Sequence, residues 1–267
     1  MTAKPRILVI AGYGINCEEE TAFAFEKAGG SPTIVHLNDL IDKKTLLGDF
    51  QILMFPGGFS YGDDTGSGNA LANRIRNHLW DEVLTFVTQD KLCLGVCNGF
   101  QVMVNLGLLP AFQSDFGKRQ VALVHNDSAR YIDRWVDLKF ADGGIWTHGV
   151  GTISLPIAHG EGKFFAEDET LQKLKEQDMI ACSYLDGEIC RRLDLSVNPN
   201  GSLQDIAGIT DSSGRLMGMM PHPERAIAFT HRPDWTFLQE KYQREGKPVP
   251  NEGSGLQIFR NGVKYFH

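Results

Sequence analysis

Apolar runs at Arg6–Ala11, Thr33–Leu37, within Gln51–Gly58 and at Cys93–Val96 alternate with helical patterns at Glu18–Gly30, Asn69–Gln89 and from Asn98 onward. This alternation constrains the fold more than any other feature. A βαβα rhythm of short buried strands predicts a mostly parallel sheet with helices on both faces. The punctuation agrees. Asn16 is a plausible N-cap for the first helix, Glu18, Glu19 and Glu20 suit its first turn, and Gly29-Gly30 stops it.

The second half of the chain has a different texture. Val121–Asp127, Arg134–Phe140, Gly151–Gly160 and Ile180–Leu185 have strand patterns, with one clear helix expected over Asp168–Gln177. Ile206–Glu224 reads as a hairpin turning at Ser212-Ser213-Gly214 and ending at Pro221. Past Arg225 comes a polar Gly/Pro stretch, then "GLQIF", which could dock as a closing element. No repeat or linker divides the chain. One domain over residues 1–267 is expected, with 226–267 an extension packed on it.

Composition narrows the partners. A net charge of −7 gives no basic footprint for nucleic acid. No apolar run approaches the roughly 18 residues of a membrane span. The run "ILVIA" is too short for a signal-peptide core of about 7–15 residues. Five cysteines, at 17, 93, 97, 182 and 190, form no C-x-x-C pair, so a thiol enzyme of the reducing cytosol is expected, with no disulfide and no metal site.

The stretch "LCLGVCNGFQ" puts Cys97 between an apolar strand and a helix, with Gly95 and Gly99 two residues to either side. A nucleophile elbow needs small residues there, because the strand-to-helix turn is too sharp for side chains. The helix N-terminus would favour the thiolate, and the Asn98 N–H would face a substrate carbonyl as an oxyanion donor. The motif serves equally for a thiol that merely packs, the expected fate of Cys93. A cysteine nucleophile needs a base, and the base needs an orienting group. His222, between Pro221 and Pro223, is pushed toward an extended conformation, which would turn His222 and Glu224 to one side. A surface turn with a paired glutamate is the bland alternative; beside an elbow cysteine, a triad explains more.

Weaker signals surround these. Gly57-Gly58 after the third strand could bring a second backbone N–H to an oxyanion, or could simply turn. "GYGINC" is an incomplete dinucleotide fingerprint, with Cys17 where a third glycine belongs, and a tight turn explains it. His159 and Glu161 in "AHGEGKF", and Asn126, Ser128 and Arg130 in "HNDSARY", are readable as ordinary polar turns.

Taken together, "GVCNGFQ", "PGGFSYGD", "HGEG", "MMPHPERA" and the opening "GINCEEETAFAFEKAGG" resemble the class I glutamine amidotransferases. Within them, "GGFSYGD" and "PHPER" are similar to the glutaminase subunits of phosphoribosylformylglycinamidine synthase, over roughly residues 6–225. The resemblance implies a flavodoxin-like α/β fold with Cys97 as nucleophile, His222 as base and Glu224 as orienter. It also implies oxyanion donors at Gly58 and Asn98, a substrate-holding role for Gln101, and Asn126 in a loop meeting the glutamine α-groups. L-glutamine would be the substrate, and a synthetase subunit, with a possible small third subunit, the partner. ATP and Mg would be bound by that synthetase rather than by this chain, and the location would be cytoplasmic. Two alternatives stand beside this: a free-standing cysteine hydrolase or peptidase on the same elbow, and a catalytically dead regulatory subunit.

Overall fold

Every residue of Ile52–Phe55 and Leu92–Val96 is buried, the pattern of strands covered on both faces. The computed structural model describes residues 3–267; Met1 and Thr2, at the start of the expected domain, lie outside the described residues. The strands are β1 (Arg6–Ala11), β2 (Ser31–His36), β3 (Ile52–Phe55), β4 (Leu92–Val96), β5 (Ala122–His125), β6 (Ile132–Phe140), β7 (Thr152–His159), β8 (Glu161–Phe165), β9 (Ile180–Leu185), β10 (Ile206–Thr210) and β11 (Leu216–Met219). One sheet runs β2-β1-β3-β4-β11-β10-β9-β6-β7, and β5 pairs with β8 in a two-stranded ribbon.

The first five strands of that order are parallel and the remaining four are antiparallel. The parallel half therefore has the flavodoxin-like order, with a switch point beside β1 where neighbours leave in opposite directions. Ligands of such sheets bind outside the carboxyl ends of the strands near that switch. β10 and β11 are the expected hairpin, with Gly208 opposite Met219.

Helices cover the sheet as their apolar spacing dictates. Asn69–Thr88 buries Leu71, Ala72, Ile75, Leu79, Val83, Phe86 and Val87, a stripe at three- and four-residue intervals. Each large side chain on it contributes about 1.5–3 kcal/mol relative to exposure. Helix Glu18–Lys27 packs on the C-terminal helix Leu256–Lys264, where the rings of Phe25 and Phe259 meet edge-on at 4.9 Å. The "GLQIF" segment thus closes the molecule as the start of a helix.

Three local expectations change. Cys17, not Asn16, occupies the N-cap of the first helix, and its side chain makes no capping bond. Its thiol is instead engaged elsewhere. "EGKFF" is strand β8, since its backbone pairs with β5 where glycine and polar residues suggested a turn. Short helices at Leu37–Asp42, Glu188–Leu193 and Trp235–Arg244 add to the expected set.

Candidate active site

Four loops, leaving the carboxyl ends of β1, β3, β4 and β11, converge beside the switch point. They carry Cys17, Gly57-Gly58, Cys97 and His222.

Cys97 has φ 51° and ψ −110°, a conformation that L-residues rarely adopt. Such strain persists only where the surroundings enforce it. Here they do. A Cβ on Gly95 would stand 2.5 Å from Met103 Sδ and 2.8 Å from the Gly99 carbonyl, and one on Gly99 would run into the Phe55 carbonyl. The two glycines let β3, β4 and helix Asn98–Leu106 approach closely enough to force the elbow. Cys97 is 4% exposed, and its thiol donates to the Ala158 carbonyl on β7 at 3.6 Å.

His222 sits at the end of β11 with extended φ/ψ, and its N–H donates to the Pro156 carbonyl at 2.8 Å. The chain then turns. Pro223–Ala226 is a 3₁₀ turn, so Glu224 reaches the imidazole around a bend rather than along an extended segment. Nδ1 of His222 and Oε1 of Glu224 are 2.5 Å apart, with side chains 2% and 0% exposed. The C-terminal tail braces this turn, as Gly253 and Gly255 donate their N–H groups to the Ile227 and Ala226 carbonyls.

Burial alone would lower the His222 pKa. The Glu224 charge, followed by Cys97 and Cys17, outweighs it and holds the imidazole well above its ordinary value. Nε2 of His222 meets no hydrogen-bond partner among the described residues, although Cys97 lies near enough to act on the ring's charge.

Gly58 has φ +152°, and a Cβ there would stand 2.6 Å from the Gly14 carbonyl and 2.7 Å from Ile15 Cα. Only glycine lets this loop lie against the turn after β1. The loop is tied to the elbow, because Ser60 N–H donates to Asn98 Oδ1 at 3.2 Å. Asn98 opens its helix, so its backbone N–H is one of the orphan donors of the first turn. Gly58 and Asn98 are thereby held in one unit around Cys97.

Gln101 and Asn126 sit nearby but brace the scaffold. Gln101 donates Nε2–H to the Glu161 carbonyl and accepts from Asn98 Nδ2 at 2.9 Å. Asn126 donates Nδ2–H to the carbonyls of Arg130 and His159, both at 2.9 Å. Its Oδ1 faces His159 Nδ1 at 3.1 Å and accepts from Gly162 N–H at 3.2 Å. All four hydrogen-bonding positions of Asn126 are engaged, so its amide joins β5, β7 and β8 and has none left for a substrate. Ser128 accepts from Arg130 N–H at 3.3 Å, as a local turn would have it. Glu161 accepts from Ser67 N–H at 3.1 Å.

Two residues matter beyond the expected set. His159 is 2% exposed, and burial drives its pKa down to about 3, so the ring is neutral. Cys17, fully buried, receives a hydrogen bond from Arg225 Nη2 at 3.0 Å and donates to Asn16 Oδ1 at 3.3 Å. Its presence after β1, in a glycine's place, was the only sequence signal.

One atom each from Cys17, His222 and Glu224 lies within 4.8 Å of the others. A dication there would have to break the His222–Glu224 bond and face the Arg225 guanidinium, so the donor set suits a triad better than a metal. All five cysteines are free thiols.

Comparisons with known proteins place the chain in one family. Residues 4–266 match the family model described as the CobB/CobQ-like glutamine amidotransferase domain. A phosphoribosylformylglycinamidine synthase subunit PurQ from Methanococcus maripaludis is 50% identical over 266 residues, covering 98% of each chain. The corresponding subunit from Dehalococcoides mccartyi is 40% identical over 265 residues, again covering 98% of each. Among solved structures, PurLQS from Thermotoga maritima aligns with TM-score 0.72 at 28% identity, over 99% of this chain and 100% of the matched one.

Proposed function

The chain belongs to the CobB/CobQ-like glutamine amidotransferases and, among them, to the PurQ subunits of phosphoribosylformylglycinamidine synthase, and from that premise we propose how its residues work. It serves as the glutaminase subunit, releasing ammonia from L-glutamine for a synthetase subunit that makes the amidine in purine biosynthesis. The observation that carries the catalytic reading is the buried His222–Glu224 pair beside the strained Cys97 elbow.

The Cys97 thiolate attacks the carboxamide carbon of glutamine. The carbonyl electrons move onto oxygen, where the Gly58 and Asn98 N–H groups receive the charge. His222, protonated and countered by Glu224, gives its proton to the departing nitrogen, and ammonia leaves a γ-glutamyl thioester. Water then attacks the thioester carbon while His222 takes its proton, releasing glutamate and restoring the thiolate. ATP and Mg²⁺ belong to the synthetase partner in this scheme, and the site of action is the cytoplasm.

An ammonia donor that hydrolysed glutamine freely would waste it, and the oxyanion loop offers a means of restraint. A misplacement of about 1 Å costs on the order of 10²-fold in rate. Steady-state glutamate release by the purified chain, titrated with a synthetase subunit and its nucleotide ligands, should rise in kcat/KM by at least about tenfold. Full activity alone, unchanged at saturating partner, would point to an independent hydrolase instead.

A further inference from the structure

Arg225 follows Glu224 directly, yet its guanidinium does not touch that carboxylate. Its Nε donates to Glu20 Oε1 at 3.2 Å and its Nη2 to Cys17 Sγ at 3.0 Å. Cys17 in turn lies against the His222 ring. A Cβ on Gly57 would stand 2.8 Å from His222 Cε1 and 3.1 Å from Cys17 Sγ, so the thiol and imidazole share one wall. Oε2 of Glu224 is buried and has no hydrogen-bond partner, leaving His222 as the carboxylate's one side-chain partner among the described residues.

We propose that Cys17 is a positioning residue of this site, a spacer that keeps Arg225 out of hydrogen-bond contact with Glu224 so that the carboxylate's hydrogen bond goes to His222 alone. The proposal rests on the glutaminase reading above for its consequence in catalysis, but its physical content is independent of it. A guanidinium prefers a carboxylate to a thiol sulfur, by both charge and planar fit. Nε already has a carboxylate in Glu20, but Nη2 is within the same guanidinium and would turn to Glu224 if nothing else accepted its hydrogen. The Cys17 thiol prevents this by filling the gap and accepting the Nη2–H. Burial raises its pKa, against the pull of His222, and its own S–H is donated to Asn16, so the spacer is neutral. A carboxylate there would take Arg225 as a partner and repel Glu224. Alanine would leave the gap open.

Five groups act on His222 from the surrounding elements: Glu224 from its own turn, Cys97 from the elbow, Cys17 from the loop after β1, His159 from β7 and Tyr131 just before β6. Arg225, a permanent cation on the same turn, is bonded to Cys17 and interacts with Cys17 and Glu224. If Arg225 came into hydrogen-bond contact with Glu224, the imidazolium would share its bonded countercharge with a second cation and become easier to deprotonate.

The test follows the His222 imidazole by NMR in the full-length chain labelled at histidine Cε1, with glutamate release recorded alongside. His222→Gln identifies the resonance. Cys17→Ala should lower the His222 pKa by about one unit or more, the scale on which a neighbouring charge acts. The alkaline limb of kcat/KM should fall with it, because that limb reports loss of the imidazolium proton. Cys17→Ser keeps a neutral donor and acceptor and should stay close to the wild-type titration. Cys17→Ala with Arg225→Met should return the pKa to the wild-type value or above, since the intruding cation is gone. An unchanged titration in Cys17→Ala overturns the proposal, and so does a shift that Arg225→Met does not reverse. If the titration behaves as expected but no variant or wild type releases glutamate, the spacer stands and the glutaminase reading fails.

Discussion

His159 makes the protein's stability fall with acid in a way that one substitution should remove. Its ring is 2% exposed, and the Asn126 amide fixes its tautomer. Because Asn126 Nδ2 already donates to two carbonyls, its Oδ1 must accept, and His159 Nδ1 therefore carries the hydrogen. Nε2 is left as a buried lone pair without a partner. Burial first, and the nearby His222 second, push the pKa from 6.5 to about 3. The unfolded chain thus binds a proton between those values that the folded chain refuses. Stability contributed by neutral His159 is present above pH 6.5 and is lost as pH falls toward about 3. At about 1.4 kcal/mol per pH unit, the loss between pH ~7 and pH ~5 is about 2 kcal/mol. His222 titrates in the opposite sense: its raised pKa contributes stability below the unfolded value that is lost as pH rises through the folded one. Both proteins share that slope, so a difference between them cancels it. His159→Asn keeps an N–H for Asn126 and removes the titrating ring. Urea unfolding of both at about pH 7 and pH 5 should show the variant less stable at the higher pH, from the cavity left, but about 2 kcal/mol less sensitive to the drop. Parallel pH dependences would mean that His159 accepts its proton in the folded state, and that the account of its burial is wrong.

Cys97→Ser should abolish glutamate release while leaving ammonia-dependent synthesis by the assembled complex, and a glutamine-analogue electrophile should label Cys97 and spare Cys17, Cys182 and Cys190. Glu224→Gln should keep the fold and lower kcat by about 10²–10⁴-fold, because the imidazolium loses its countercharge; wild-type turnover in a folded Glu224→Ala protein would assign Glu224 to structure. Gly58→Ala should displace the loop, since its Cβ would meet the Gly14 carbonyl at 2.6 Å, and cost about 10²–10³-fold in kcat, the scale of losing one oxyanion donor. Unchanged kcat in that variant would remove Gly58 from the oxyanion site.

The parallel strands and the elbow were readable in the chain because each depends on neighbours in sequence. Burial of both faces demands continuous apolar runs such as Leu92–Val96, and the sharp turn at Cys97 demands glycines at fixed offsets. The His222–Glu224 pairing was also local, although the chain achieves it through a 3₁₀ turn rather than an extended segment. Strand β8 was hidden because "EGKFF" has the composition of a turn, and only the partner strand β5 supplies a reason for it to extend. Asn126 looked like a substrate ligand on the strength of resemblance, and packing alone revealed that its amide is fully used in joining three strands. Cys17 and His159 were noticed in the chain, but their roles were not legible, for a deeper reason. The two groups that meet at the Cys17 sulfur come from positions 208 residues apart, and His159 is neutral only because folding removes its water. Sequence by itself determined which residues could do the chemistry, since bond-forming groups and backbone sterics are properties of a few adjacent residues. Tertiary structure decided their charge states and which atoms remain free, because desolvation and hydrogen-bond saturation exist only once distant segments have closed around them.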